Sequence, residues 1–225
     1  MPAALQPKID ETLPAHERVY RALRARILSG GMAPGDSLTL RGVAEALDVS
    51  MTPAREAVRR LAAERALEMT PSGRILVPTP GPAQLDELFR ARALLEPELA
   101  IRALPKTDSR LIDALRHCDD ALGRHVAAGD VAGYVRANNA FHTTLYARAG
   151  APALMALVES VWLQTAPVMR RVYGRLGTQA LTDYHEAALE ALAARNAEAL
   201  AQAIRDDVGQ GAALVAQVSL DLVDL

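Results

Sequence analysis

The segment Val49–Leu61, VSMTPAREAVRRL, sets a helix-start signal directly against arginines. Ser50 or Thr52 can cap a helix, and Pro53 suits its first turn, where a missing N–H costs nothing. Such a helix turns its positive dipole end and its free first-turn amides toward whatever lies before it, which suits phosphate. Thr52 adds a hydroxyl. Arg55 and Arg59 follow one turn apart, on the face opposite Val58 and Leu61, so both can reach base edges and phosphates in a DNA major groove. Arg41, at the start of the preceding helical stretch, can contact the DNA backbone. Gly73 lets a following hairpin approach a minor groove closely. Arginines on an isolated helix are ordinarily a solvated face, so the DNA reading depends on the elements around them.

Those elements agree. Glu17–Ser29 reads as a helix with Val19, Leu23, Ile27 and Leu28 on one stripe, stopped by Gly30-Gly31. Ala33-Pro34-Gly35-Asp36 is a turn. Thr39 can cap a short helix carrying Leu40, Val43, Ala44 and Leu47 inward, and Asp48-Val49 turns the chain into the arginine helix, whose inner face is Ala54, Ala57, Val58 and Leu61. Leu67–Met69 and Arg74–Val77 are short strands around Pro71-Ser72-Gly73, a hairpin. Helix, short helix, turn, second helix and hairpin make a winged helix-turn-helix.

The stretch Pro78–Pro82, PTPGP, holds three prolines and a glycine in five residues and continues neither helix nor central strand. It is the expected linker (79–82) between a winged domain (13–78) and an all-helical domain (83–220), with residues 1–12 expected to form a disordered tail. Beyond the linker the sequence reads as six helices, near 82–103, 108–128, 130–148, 152–173, 178–195 and 197–218. Gly174 with Gly177 is among the breakers, and Pro167 is expected to kink the fourth helix. The fold class is mostly α: a winged helix-turn-helix followed by a six-helix bundle.

Composition sets the outer bounds. The chain has 225 residues, a net charge of -2, and only 4% aromatic residues. Up to Pro80 there are 11 Lys+Arg against 9 Asp+Glu, and beyond it 14 against 18, a mild asymmetry that favours an anionic partner for the first part. One cysteine, Cys118, excludes an internal disulfide framework and a cysteine-rich zinc site. No apolar run approaches the roughly 20 residues that span a bilayer, and the first dozen residues lack a signal-peptide pattern, so a cytoplasmic protein without a membrane partner is expected.

Val19–Leu38, VYRALRARILSGGMAPGDSL, and Leu40–Leu61, LRGVAEALDVSMTPAREAVRRL, resemble the opening and the helix-turn-helix of the GntR family of bacterial transcription regulators. The resemblance implies DNA contacts at Arg41, Ser50, Thr52, Arg55 and Gly73, to which the helical spacing adds Arg59. One position departs: the family usually has Arg where this chain has Met51, and a missing cation lowers affinity, flattens the salt dependence or alters base preference. The helical remainder is similar to the FCD ligand-binding domain of the FadR-type branch, through Arg92-Ala-Leu-Leu-Glu96 and the Phe141-His142 pair. In many relatives an Asp, a His four residues on and two later histidines bind a divalent metal. The matching positions here are Asn138, His142, His185 and Asp207, so Asn stands for Asp and Asp for the last His.

Periodicity supports a shared site at those positions. Asn138 and His142 interrupt the row Tyr134, Phe141, Leu145. His185 interrupts Leu181, Ala188, Leu189, Leu192, and Asp207 interrupts Leu200, Ala203, Ile204, Val208, Leu214. Asp206 falls off its row, and His16, His117 and His125 read as surface residues. Four buried polar residues on three inward stripes need partners. An Asn oxygen, two imidazoles and a carboxylate suit Zn, Ni or Mn, with a metal-free polar pocket as the alternative. Arg92 also lies on an inward row, with Leu85, Leu88, Phe89, Leu95 and Leu99. It either pairs with Glu96 or clamps a ligand carboxylate bidentately. The resemblance favours a small organic acid held between Arg92 and the metal, with Arg170, Arg171, Tyr173 and Trp162 lining the same cavity.

These readings converge on a ligand-responsive transcription regulator, expected to be a repressor. As a homodimer it would bind a palindromic double-stranded DNA operator, with a small carboxylate effector and a divalent metal in its helical domain. Two rivals are weighed against it. A metal-dependent hydrolase or lyase would use His142, His185 and Asp207, but no further acid, base or nucleophile sits on an identified stripe. An architectural DNA-binding protein would have a dry, filled helical core.

Overall fold

The computed structural model describes residues 12–178 and 181–220. Of the expected tail, residues 1–11 lie outside the described residues. The winged domain is built as α1 (Ala15–Leu28), β1 (Ser37–Thr39), α2 (Leu40–Ala46), α3 (Met51–Ala63), β2 (Glu68–Met69) and β3 (Arg74–Leu76). Gly30, at φ +64, turns the chain after α1. The Thr39 hydroxyl accepts from the Gly42 amide at 3.0 Å and caps α2 as expected. Asp48 takes the left-handed conformation, φ 49, that the tight turn between α2 and α3 requires. Ser50 occupies the N-cap position of α3 but makes no side-chain cap bond.

The expected hairpin is part of a three-stranded antiparallel sheet in the order β1-β3-β2, with Leu38 opposite Ile75 and Met69 also opposite Ile75. Sequence reasoning missed β1. Three residues, Ser-Leu-Thr, are too short for any alternation to register. Ile27, Met32, Leu61, Leu67 and Ile75 close the core of this domain.

The helical domain follows as α4 (Pro82–Ala103), α5 (Ser109–Ala128), α6 (Val131–Tyr146), α7 (Pro152–Leu176), α8 (Tyr184–Ala193) and α9 (Ala197–Leu220). Asp108, Asp130 and Asp183 cap α5, α6 and α8 by accepting from the amides of Leu111, Gly133 and Glu186. Two boundaries differ from expectation. Helix α7 runs without interruption through Pro167 and Gly174 to Leu176, and Gly177, at φ +78, ends it. Helix α8 starts at Tyr184 rather than near 178, because Asp183 caps it there and the Gln210 side chain takes up both the N–H and the C=O of Thr182.

The domain has two apolar clusters. One gathers Leu99, Leu111, Leu115, Phe141, Leu145, Leu189 and Ile204; the other gathers Leu85, Phe89, Leu122, Tyr134, Met169 and Val208. Along α4, α6, α7 and α9 the changeover between clusters falls at Arg92/Glu96, Asn138/His142, Thr165 and Asp207. A polar layer therefore separates two apolar halves of one bundle.

The two domains are joined along α7. Leu163, 1% exposed, belongs to the core of the winged domain, where burying a leucine contributes about 1.5–3 kcal/mol. Arg170 Nη1 donates to the Gly30 carbonyl at 2.7 Å and Arg171 Nη2 to the Pro34 carbonyl at 2.5 Å. Arg24 of α1 pairs with Glu159 of α7 at 2.7 Å. A Cβ at Gly30 would stand 3.0 Å from Val135 Cγ1, so the turn after α1 is seated directly against the helical domain.

Candidate DNA-binding face and effector site

On α3 the burial of Ala54, Ala57, Val58 and Leu61 turns Met51, Thr52, Arg55 and Arg59 to solvent, together with Ser50 just before the helix. Among the described residues no ion pair ties down Arg55 or Arg59. Arg41 reaches Glu45 at 2.8 Å yet keeps an 83% exposed side chain. Gly73 sits at the hairpin tip with φ +81. The third arginine of the helix pair, Arg60, is different: it stacks on Tyr20 at 3.6 Å and pairs with Glu17 and Glu64, so it fastens α3 to α1. Glu56 takes no part in a capping box and lies 3.7 Å from His16.

The polar layer of the helical domain brings His142, His185 and Asp207 together. His142 Nε2 lies 3.2 Å from Asp207 Oδ2 and 3.4 Å from His185 Nε2, and His185 Nε2 lies 3.8 Å from Asp207 Oδ1. Two donors at about 2.1 Å on one tetrahedral ion stand about 3.4 Å apart, close to the separations between the two imidazole nitrogens and the carboxylate. Asn138, one turn before His142, lines the same cavity, while Asp206 instead accepts from Gln202. Each imidazole also has an outer partner for its Nδ1: Tyr146 for His142 at 3.2 Å and Asp119 for His185 at 3.4 Å. Such partners fix the ring orientation and leave Nε2 facing the centre.

The electrostatics match this arrangement. Burial pushes the Asp207 carboxyl toward its neutral form, but His142, His185 and Arg92 outweigh it and hold the group well below the usual carboxylate range. Burial disfavours charge on His185, yet its hydrogen bond to the Asp119 carboxylate and the charge of Asp207 raise its pKa overall. Burial and Glu96 keep the Tyr146 phenol protonated, able to donate.

Glu96 is fully buried and accepts three hydrogen bonds: from Arg92 Nε at 2.6 Å, from the Trp162 indole at 2.8 Å and from the Tyr146 hydroxyl at 3.0 Å. Of the two alternatives for Arg92, the i,i+4 pair with Glu96 is present. Arg92 also faces a cavity of about 50 Å³ whose wall includes Asn138, His142, Tyr173 and Asp207. Tyr173 and Trp162 both line this cavity. Arg170 and Arg171 do not: their guanidinium groups point the other way, onto the backbone of the winged domain. Both follow Met169 on α7, which does line the cavity, but their side chains are taken up by the Gly30 and Pro34 carbonyls. A larger cavity, about 660 Å³, reaches His185 and Asp207 from the side of α5 and α8, past Asp119 and Asp183.

Sequence reasoning missed Tyr146 and Asp119. Tyr146 stands four residues after His142 and was legible as a helical neighbour. Asp119 lies on α5 beside the row Leu111, Leu115, Leu122, and nothing in its spacing singles it out. His125, expected at the surface without neighbours, is half-buried and lies 3.0 Å from Asp130.

The model for bacterial regulatory proteins of the gntR family matches residues 15–77, and that for the FCD domain matches residues 87–210, more than half the chain. The HTH-type transcriptional regulator McbR of Escherichia coli (strain K12) is 28% identical over 203 residues, 89% of this chain and 92% of McbR. The solved structure of E. coli McbR/YncC superposes with a TM-score of 0.84 at 27% identity, covering 92% of this chain and 99% of that one. A putative GntR regulator from Rhodococcus sp. RHA1 superposes at 0.74 with 25% identity, covering 90% and 97%. These relatives are transcription regulators, which decides against the hydrolase or lyase reading of the His/Asp cluster. The chain belongs to the GntR family of bacterial transcription regulators, an FCD effector domain following its winged helix-turn-helix.

Proposed function

We propose that the protein is a cytoplasmic, homodimeric repressor that binds a palindromic operator and releases it when a small carboxylate occupies the helical domain. The winged domain, 13–78, reads DNA through Arg55 and Arg59 in the major groove, with Ser50, Thr52 and Arg41 on phosphates and Gly73 at the wing. Two-fold symmetry of the dimer would match two half-sites.

In the effector domain, 83–220, His142, His185 and Asp207 would hold one Zn, Ni or Mn ion, with the amide oxygen of Asn138 as a further ligand. The ion supplies a Lewis-acidic anchor for a carboxylate oxygen. Arg92 donates to the same carboxylate while its Nε stays on Glu96, a geometry that suits a planar guanidinium. Helix α7 carries the signal. Trp162, Met169 and Tyr173 line the effector cavity, while Leu163, Arg170 and Arg171 on the same helix hold the winged domain. A ligand that shifts α7 shifts the DNA-binding domain, and the energy available is the ligand's differential affinity for the two placements.

The single observation that carries this reading is the convergence of His142, His185 and Asp207 from three helices beside the buried Arg92. The test is a thermal-shift screen of small organic acids with and without added Zn, Ni or Mn, followed by operator titration. A carboxylate that raises the midpoint in a metal-dependent way and lowers operator affinity supports the reading. Absence of bound metal in elemental analysis, with stabilisation by acids unaltered after chelation, makes the pocket metal-free with Arg92 as the anchor.

A further inference from the structure

We infer that the effector is a bifunctional anion, with one end seated in the polar layer beside Arg92 and the other in the crevice between the two domains. The inference rests on the carboxylate-effector reading above and adds the second half of the site and the class of ligand that fills it.

Volume is the first argument. The cavity beside Arg92 offers about 50 Å³, room for only a few water molecules. Next to it, between α1 of the winged domain and α6 and α7 of the helical domain, lies a crevice of about 520 Å³. The two share a wall of Leu28, Asn139 and Trp162. Trp162 is pinned by its bond to Glu96. Among the described residues Asn139 is held only by a 3.4 Å contact from Thr143, so it is the part of the wall that can yield.

Charge is the second. Arg21, Arg24, Arg60 and Arg136 line the crevice against Glu17 and Glu159, an excess of positive charge in a chain that is acidic overall. Glu17 is shared between Arg21 and Arg60, and Glu159 is engaged by Arg24. Arg136 has a 3.8 Å approach to Asp130 and a side chain 39% exposed. An anionic group entering here would take Arg136 and compete with Glu159 for Arg24.

Helix geometry sets the length. Arg136, Asn139 and His142 follow one another along α6, and six residues of helix span about 9 Å. A chain of several carbons between two acidic groups covers that distance. Such a ligand would touch Arg24 of the winged domain and Arg136 of the helical domain at once, so its distal end acts directly on the junction that sets domain placement.

The test is calorimetric titration of the zinc-supplemented full-length protein with straight-chain monocarboxylates and α,ω-dicarboxylates of equal carbon number. The best diacid should bind the wild type about tenfold more tightly than its monoacid, as expected for a charge-assisted contact. In Arg136→Gln and in Arg24→Gln that ratio should fall toward one, whereas Arg92→Gln should weaken both acids together. A diacid no better than its monoacid, or an advantage that survives in both Arg136→Gln and Arg24→Gln, overturns the inference and leaves the carboxylate reading standing. If neither acid binds the wild type, the carboxylate reading fails and the inference falls with it.

Discussion

Arg55 and Arg92 are the same side chain in opposite settings. Arg55 stands in water on an exposed helix face, built from residues that are neighbours in the chain. Arg92 is 8% exposed, ion-paired with a fully buried glutamate, and its cavity draws on α4, α6, α7 and α9. The DNA face can lose a member without disturbing the fold, because water solvates whatever is left. The polar layer cannot, because each group there satisfies another one removed from water. On the proposed function, one domain therefore separates function from stability, and the other joins them.

The strongest way to break that contrast is Glu96→Ala. It leaves Arg92, the Trp162 indole and the Tyr146 hydroxyl without their common acceptor, and breaking a buried ion pair costs about 3–5 kcal/mol. Urea unfolding should register the loss, and a cost below about 1 kcal/mol would show that water or a rearranged partner replaces the glutamate.

Next in size is the metal. With zinc at about 100 times its dissociation constant the wild type should gain about 2.7 kcal/mol of stability. His142→Ala should abolish that gain and the retained zinc, whereas Asp206→Ala should keep both. Equal zinc-induced shifts in wild type and His142→Ala would remove His142 from any metal site.

Arg55→Ala sharpens the comparison from the other side. Operator affinity should fall by about 1–3 kcal/mol, the worth of a bidentate base contact, while the unfolding midpoint stays where it is. A gel-shift titration that finds unchanged affinity would take Arg55 out of the interface. The smallest effect is expected of Met51→Arg. Met51 is 40% exposed on the same face, and a cation there should steepen the salt dependence by about one released counterion per half-site. A slope indifferent to the substitution would show that position 51 does not approach DNA.

The N-terminal domain was legible because its signals are local. The Thr39 cap, the Asp48 turn, the stripe Ala54, Ala57, Val58, Leu61 and the tip at Gly73 each act within a few residues, and the sequence alone determines which face of α3 meets solvent. The six helices beyond the linker were legible for the same reason, as were the inward directions of Arg92, His142, His185 and Asp207. Periodicity tells which way a side chain points, but not which side chain it meets across the bundle. That is why Asp119 went unnoticed as the partner of His185, and why Glu96 looked like the mate of Arg92 alone when it also binds Trp162 and Tyr146. It is also why Arg170 and Arg171 were assigned to the cavity: they flank residues that line it. Packing of α7 against α1 turned them to the backbone of the winged domain. Local chemistry determined the elements and their faces; only the docking of helices distant in the chain decided which polar groups share one desolvated site, because each such group takes the partner that burial leaves within reach.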